Sequence, residues 1–269
     1  MRIVLCCWLM FCCWSGASYA SQLNVAVASN FLAPLQSITK TFEAKTGHTL
    51  RISAGSTGKL YAQIVNGAPF DVFLAANAKE PQRLELSGAA IAGSRFTYGL
   101  GQLVLWTPQL AGSYSSSIVE VLTTEKVYRL AVANPTTAPY GAAAIEALKN
   151  LGVYDDIKNK IIRGENVSQA YQYVASGAAQ IGFVAKSQIM SLPTSHESAS
   201  HKTYWTIDSA LYSPIRQQAV LLKRAENNTA AREFLEFLQS SQGRAAIQSF
   251  GYGLADYVAD NEADNQKQP

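Results

Sequence analysis

Val25-Ala26-Val27-Ala28-Ser29-Asn30-Phe31 and Leu50-Arg51-Ile52-Ser53-Ala54-Gly55-Ser56-Thr57-Gly58 share one pattern. Each passes from a strand-like apolar run, through a pair of small polar residues, into a helix-like run. Behind the first, Phe31, Leu35, Ile38 and Phe42 recur at the spacing of one face of an amphipathic helix. Behind the second come Leu60, Tyr61, Ile64 and Val65. Ser, Thr and Asn suit a helix start because their side-chain oxygens accept from backbone N–H groups that have no partner within the helix. Those same N–H groups, with the helix dipole behind them, attract anions. Two such starts side by side, with hydroxyls to spare, can surround a small oxyanion.

Similar junctions recur along the chain. Strand-like runs at 70–76 (FDVFLAA), 97–106 (TYGLGQLVLW), 129–133, 181–185 (IGFVA) and 219–222 alternate with helix-like runs. Those helices are expected at 80–86, 142–151, 167–175, around Phe234 to Leu238, and at 244–250. Such alternation predicts an α/β architecture with mainly parallel sheets. Tyr140 with Gly141, and Asn166 with Val167, also stand at helix starts that follow strands, and in open α/β sheets those ends bind ligands. The only basic residue near these junctions is Lys59, a turn inside its helix. The implied ligand is therefore a small anion held by neutral dipoles and hydroxyls. The glycine-bearing run near Gly99 and Gly101 and the proline-bearing run near Pro214 divide the chain into outer and middle parts, as crossings between two lobes would.

The 269 residues have ample core for one large or two medium domains. Twenty-two basic and 19 acidic residues give a net charge of +3, with no basic block. That composition argues against a nucleic-acid partner. Arg2, the apolar run 3–14 and the small residues 15–20 form a three-part secretory leader, with cleavage expected after Ala20. All four cysteines (Cys6, Cys7, Cys12 and Cys13) lie within it, so the mature chain has neither disulfide nor thiol. The polar 191–201 stretch reads as a surface loop, and the tail beyond Val258 as frayed.

Catalytic and metal motifs fail on inspection. Gly55-Ser56-Thr57-Gly58-Lys59 lacks the first glycine of a phosphate-binding loop, with Ser53 in its place, and carries Leu60 where magnesium would need Ser or Thr. No G-x-S-x-G elbow occurs. His48 falls in a helix-to-strand turn, and His196 and His201 in the Ser-rich loop, none well placed as a base for a serine. The spacing of His196 and His201 does not put two metal ligands on one helix face. No cofactor and no directly coordinated metal cation is expected.

The sequence resembles the periplasmic molybdate-binding proteins of ABC transporters. The resemblance is carried by Val27-Ala28-Ser29-Asn30-Phe31, by 42–48 (FEAKTGH), by 53–64 (SAGSTGKLYAQI) continuing through 73, by Ser94 to Tyr98, by Asn134-Pro135 with Ala138-Pro139-Tyr140-Gly141, and by 175–179. These motifs fall in order from Leu23 to Tyr252. The resemblance implies a two-lobed periplasmic-binding-protein fold, each lobe a mainly parallel sheet flanked by helices, joined by two crossover strands. The expected boundaries are a signal peptide at 1–20, lobe I at 21–101 with 216–269, and lobe II at 102–215.

The resemblance further implies that molybdate or tungstate is held as an oxyanion, without counter-charge, by Ser29, Asn30, Ser56, Thr57, Tyr140 and Val167. Val167 would contribute its backbone N–H. Some family members carry a tyrosine after the Gly-x-Val of the late strand, where this chain reads Gly182-Phe183-Val184-Ala185; Tyr140 is then the phenol. A non-catalytic periplasmic monomer that delivers its ligand to a membrane permease is expected. The rivals are a binding protein for another oxyanion such as sulfate, and an exported serine hydrolase.

Overall fold

The computed structural model describes residues 20–108, 117–192 and 204–254. The leader through residue 19, the 193–203 part of the Ser-rich loop with His196 and His201, and the tail after 254 lie outside the described residues.

Strand β1 (Gln22–Ala28) runs through a 3-10 turn at Ser29–Phe31 into α1 (Leu32–Thr46). Gly47, at φ 76°, closes α1 in the left-handed conformation that glycine adopts without penalty. Next come β2 (Thr49–Gly55), α2 (Thr57–Val65), β3 (Val72–Ala75), α3 (Lys79–Leu86) and β4 (Phe96–Gly101). Then the chain enters a second sheet with β5 (Leu103–Trp106), α4 (Ile118–Thr123), β6 (Leu130–Ala133), α5 (Pro139–Asn150) and the short α6 (Tyr154–Ile157). There follow β7 (Ile161–Gly164), α7 (Val167–Ala175), β8 (Ile181–Ala185), α8 (Lys186–Met190) and β9 (Tyr204–Thr206). The return to the first sheet brings β10 (Ile215–Leu221), α9 (Thr229–Gln239) and α10 (Ser241–Ser249).

The two five-stranded sheets have the orders β2-β1-β3-β10-β4 and β7-β6-β8-β5-β9. In each, one strand opposes the rest. β10 is antiparallel to both neighbours in the first sheet, and β5 to both in the second. This is the expected α/β, two-lobed architecture, with the chain passing twice between lobes.

Three expectations about strands need correction. The apolar run 97–106 is not one strand: β4 pairs within the first sheet, β5 within the second, and Gln102 lies between them. β10 lies wholly in the first sheet, so the return crossing falls in the 207–214 segment that precedes it. The apolar 70–76 run also overstates its strand, because only Val72–Ala75 joins the ladder.

Alternation along β1 builds the first lobe's core. Val25 and Val27 face one layer, with Phe31, Leu35, Ile38 and Phe42 of the following helix and Phe234 and Leu238 of α9. Ala26 faces the other, with Leu60 and Ile64 of α2 and Leu84 of α3. The second lobe packs Leu103 to Trp106, Leu130 to Ala133 and Ile181 to Ala185 against Ala144, Ala147 and Leu148 of α5 and Val174 of α7. No helix among the described residues is long and apolar enough to cross a membrane.

Candidate functional site

Register sets the first wall of the site. Ala28 pairs with Gly55 at the carboxyl ends of parallel β1 and β2, so Ser29 and Ser56 leave the sheet side by side. The second wall repeats the device. Ala133 pairs with Gly164 at the ends of parallel β6 and β7, and the chain then enters α5 and α7. The Asn134 N–H donates to Gly164 O at 2.7 Å, tying these two junctions together. Gly141 lets α5 press onto the end of β6, for a Cβ there would stand 2.7 Å from the Ala133 carbonyl carbon.

The four junctions line one cleft. Ser29, Asn30, Ser56, Thr57, Tyr140 and Val167 all line it, together with Asn166, Pro139 and small residues at the strand ends. None of its lining residues carries a charged side chain.

The residues play unlike parts. Ser29 and Asn30 begin the 3-10 turn, and neither caps a helix: the N-cap position is Ala28, with no side-chain bond. The Asn30 amide donates to Gln217 Oε1 and Tyr252 Oη, both at 2.9 Å, so its side-chain N–H groups are committed to the surrounding network. Ser56 occupies the N-cap of α2 yet makes no capping bond, and its buried Oγ has no hydrogen-bond partner. Thr57 Oγ1 accepts from the Ala76 N–H at 3.0 Å, which leaves its own proton to donate. Val167 is the first residue of α7, where an N–H has no acceptor within the helix. The Asn166 side chain caps that helix by accepting from the Gln169 N–H at 3.1 Å.

Tyr140 likewise buries its oxygen, which, with the Tyr252 phenol beside it, has no partner in good hydrogen-bonding geometry. Its hydroxyl rests against Gly101, the last residue of β4, where any Cβ would collide with it. Burial, then the neighbouring phenols of Tyr252, Tyr98 and Tyr212, and last an interaction of its hydroxyl with that of Tyr252, push its pKa well above the ordinary tyrosine value. It is therefore a proton donor throughout the neutral range. Tyr252 is likewise raised, to about 12, by burial, with hydrogen bonds to Ser187 and Asn30 and the Tyr140 hydroxyl opposing the shift.

Several residues of this surround carry no local sequence signal. Tyr252 Oη lies 3.0 Å from Asn30 O and 3.1 Å from Ser187 Oγ, and Ser187 Oγ donates to Asn30 O at 2.8 Å. Gln217 is the exception: two successive glutamines directly before the apolar end of a strand are a visible break in pattern, and both are buried.

His48 cannot serve the serines. It precedes β2 while Ser56 follows it, and seven strand residues span roughly 20 Å. Its ring accepts from the Ser21 N–H at 3.1 Å and faces Glu233 at 3.2 Å. Among the described residues no cluster of His, Cys, Asp and Glu could hold a metal ion.

Paired strand ends, helix starts and neutral donors in an interlobe cleft define a solute receptor. The family described as bacterial extracellular solute-binding protein matches residues 23–253, and the chain belongs to it. The molybdate-binding protein ModA of Azotobacter vinelandii is 43% identical over 238 residues, covering 88% of this chain and 92% of that protein. That of Rhodobacter capsulatus is 42% identical over 233 residues, covering 87% and 88%. Among solved structures, the periplasmic molybdate-binding protein of Azotobacter vinelandii superposes with a TM-score of 0.80 at 38% identity, over 87% of this chain and 100% of that one.

Proposed function

We propose that this protein captures molybdate, and tungstate at the same site, in the interlobe cleft and delivers it to the membrane permease of an ABC transporter. One observation carries the reading: Ser56 and Tyr140 line the same uncharged cleft from opposite walls, and the side-chain oxygen of each is buried without a partner in good hydrogen-bonding geometry. An unpaired buried hydroxyl costs about 1–3 kcal/mol, so each is a donor awaiting an acceptor. A tetrahedral dianion supplies acceptors on every side. Thr57, the first N–H groups of α2 and α7, and the turn at Ser29 and Asn30 complete the donor set, and binding is without turnover.

The relatives named for molybdate binding support this ligand. Selection against sulfate then rests on cavity size, since charge and shape are alike. The protein acts as a periplasmic monomer released by cleavage after Ala20. Its lobe boundaries are taken as 21–101 with 216–269 and 102–215, and the passage between sheets at Gln102 supports the first of these.

A thermal-shift panel tests the reading, because a ligand that binds only the folded form raises the melting temperature. Molybdate and tungstate should stabilise the mature protein far more than sulfate or phosphate at matched concentration. Equal stabilisation by sulfate would overturn the ligand assignment.

A further inference from the structure

Ser187 and Ser168 of the second lobe bond the backbone of Asn30 and Ser29 in the first, and two further contacts between the lobes fall on the first turn of α2. The Gly58 N–H does not point to the cleft but donates to Thr137 O, in the connection between β6 and α5 of the other lobe, at 2.9 Å. The fit is close: a Cβ on Gly58 would stand 3.2 Å from both Thr137 Cα and Thr137 O. Both are backbone atoms, which cannot swing aside. Next to it, Lys59 pairs with Glu165, which lies just before α7 in the second lobe. Each of these two side chains is 55% exposed, so the pair lies at the solvent edge. Gly58 and Lys59 follow Ser56 and Thr57 directly, and Thr137 and Glu165 lie within three residues of Tyr140 and Val167.

Glycine is a poor choice for a helix interior, where alanine is the better former. φ at Gly58 is not positive, so the backbone does not require glycine either. What favours it is the approach of Thr137, whose backbone would have to give by a few tenths of an ångström to admit a Cβ.

We infer that Gly58, with the Lys59–Glu165 pair beside it, forms a closing contact that helps hold the lobes together over the bound anion, and that it raises affinity without touching the ligand. The inference rests on the oxyanion-binding reading above. Helix α2 thus divides its first turn: Ser56 and Thr57 face the cleft, while Gly58 and Lys59 engage the opposite lobe. Because the contact joins the lobes and not the core of either, removing it leaves each lobe's packing intact.

The test is calorimetric titration of molybdate into the full mature protein and its Gly58→Ala variant, with melting of both in the absence of ligand. Gly58→Ala should bind at least about tenfold more weakly, while its ligand-free melting temperature stays within about 2 °C of the parent or rises. Lys59→Met should lose about two- to fivefold, a loss that shrinks in about 0.5 M salt, as expected of an exposed ion pair. If the parent binds molybdate and Gly58→Ala binds it equally well, the closing contact is refuted and the functional reading stands. A large fall in the ligand-free melting temperature of Gly58→Ala also refutes it, since the contact would then belong to the fold itself. Failure of the parent to bind molybdate instead sinks the functional reading, and this inference with it.

Discussion

The two walls of the cleft are built alike and equipped differently. Each is a pair of adjacent parallel strands whose carboxyl ends open into helices. The first wall offers short hydroxyls at Ser29, Ser56 and Thr57, close to the backbone that carries them. The second offers one long phenol, at Tyr140, and the start of α7 at Val167. Capping differs as well. Asn166 caps α7, whereas Ser56 holds the same position before α2 and leaves its hydroxyl unused. A serine before a helix is ordinarily explained by capping; an idle oxygen there points to a ligand. The walls should accordingly respond to different substitutions.

The largest effect is expected on the first wall. Ser56→Ala with Thr57→Ala removes two donors to a charged acceptor, each worth about 1.5–3 kcal/mol, so molybdate affinity should fall roughly a hundredfold or more by calorimetry. Retention of binding within a few-fold would mean that the hydroxyl wall is not the receptor. On the second wall, Val167→Pro deletes a backbone N–H at a position where helices tolerate proline, and should weaken binding about ten- to a hundredfold. Val167→Ala, titrated alongside, should stay within about twofold of the parent, because its N–H remains. Equal behaviour of the two variants would erase the contrast between side-chain and backbone donors.

Tyr140→Phe sharpens the comparison further. Affinity should drop about tenfold, yet the ligand-free protein should melt no lower than the parent, because the lost hydroxyl meets the Tyr252 phenol only in poor hydrogen-bonding geometry. A lower ligand-free melting temperature would place that hydroxyl in the structural network with Tyr252. The smallest effect is that of pH. Since the Tyr140 pKa is raised well above 10.0, its phenol keeps its proton, and affinity should change by less than about twofold between roughly pH 7 and 9.5.

Stability is another matter at higher pH. Tyr252 ionises near 12 when folded and Tyr98 also lies well above 10.0, so the unfolded chain gives up these protons first. Folding stability should hold below about pH 10 and decline from there towards about pH 12, as denaturant titrations at stepped pH would record.

Much of this was legible in the sequence where local pattern and lobe architecture agree. The spacing of Phe31, Leu35, Ile38 and Phe42 marks an amphipathic helix, and those residues do form a buried face. The helix starts at 29–30, 56–57, 140–141 and 166–167 could be located because each follows an apolar strand. Their convergence on one cleft was a matter of register, Ala28 with Gly55 and Ala133 with Gly164, which no single stretch encodes. The 97–106 run misled because strands of two sheets abut across one residue, and hydrophobicity does not record a change of sheet. The parts of Asn30, Ser187 and Tyr252 were hidden for a related reason. Their bonds join residues 65 to 222 positions apart, and each residue looks unremarkable among its neighbours.

The seat of Tyr140 against Gly101 has a mechanical meaning. Gly101 ends the strand that leads directly into the crossing at Gln102, so the phenol leans on the pivot about which the halves of the molecule would swing. Motion at that pivot is also motion of a donor relative to the anion. Grip and geometry would then share one lever, because any change of angle between the halves at Gly101 would also move the phenol that rests on it.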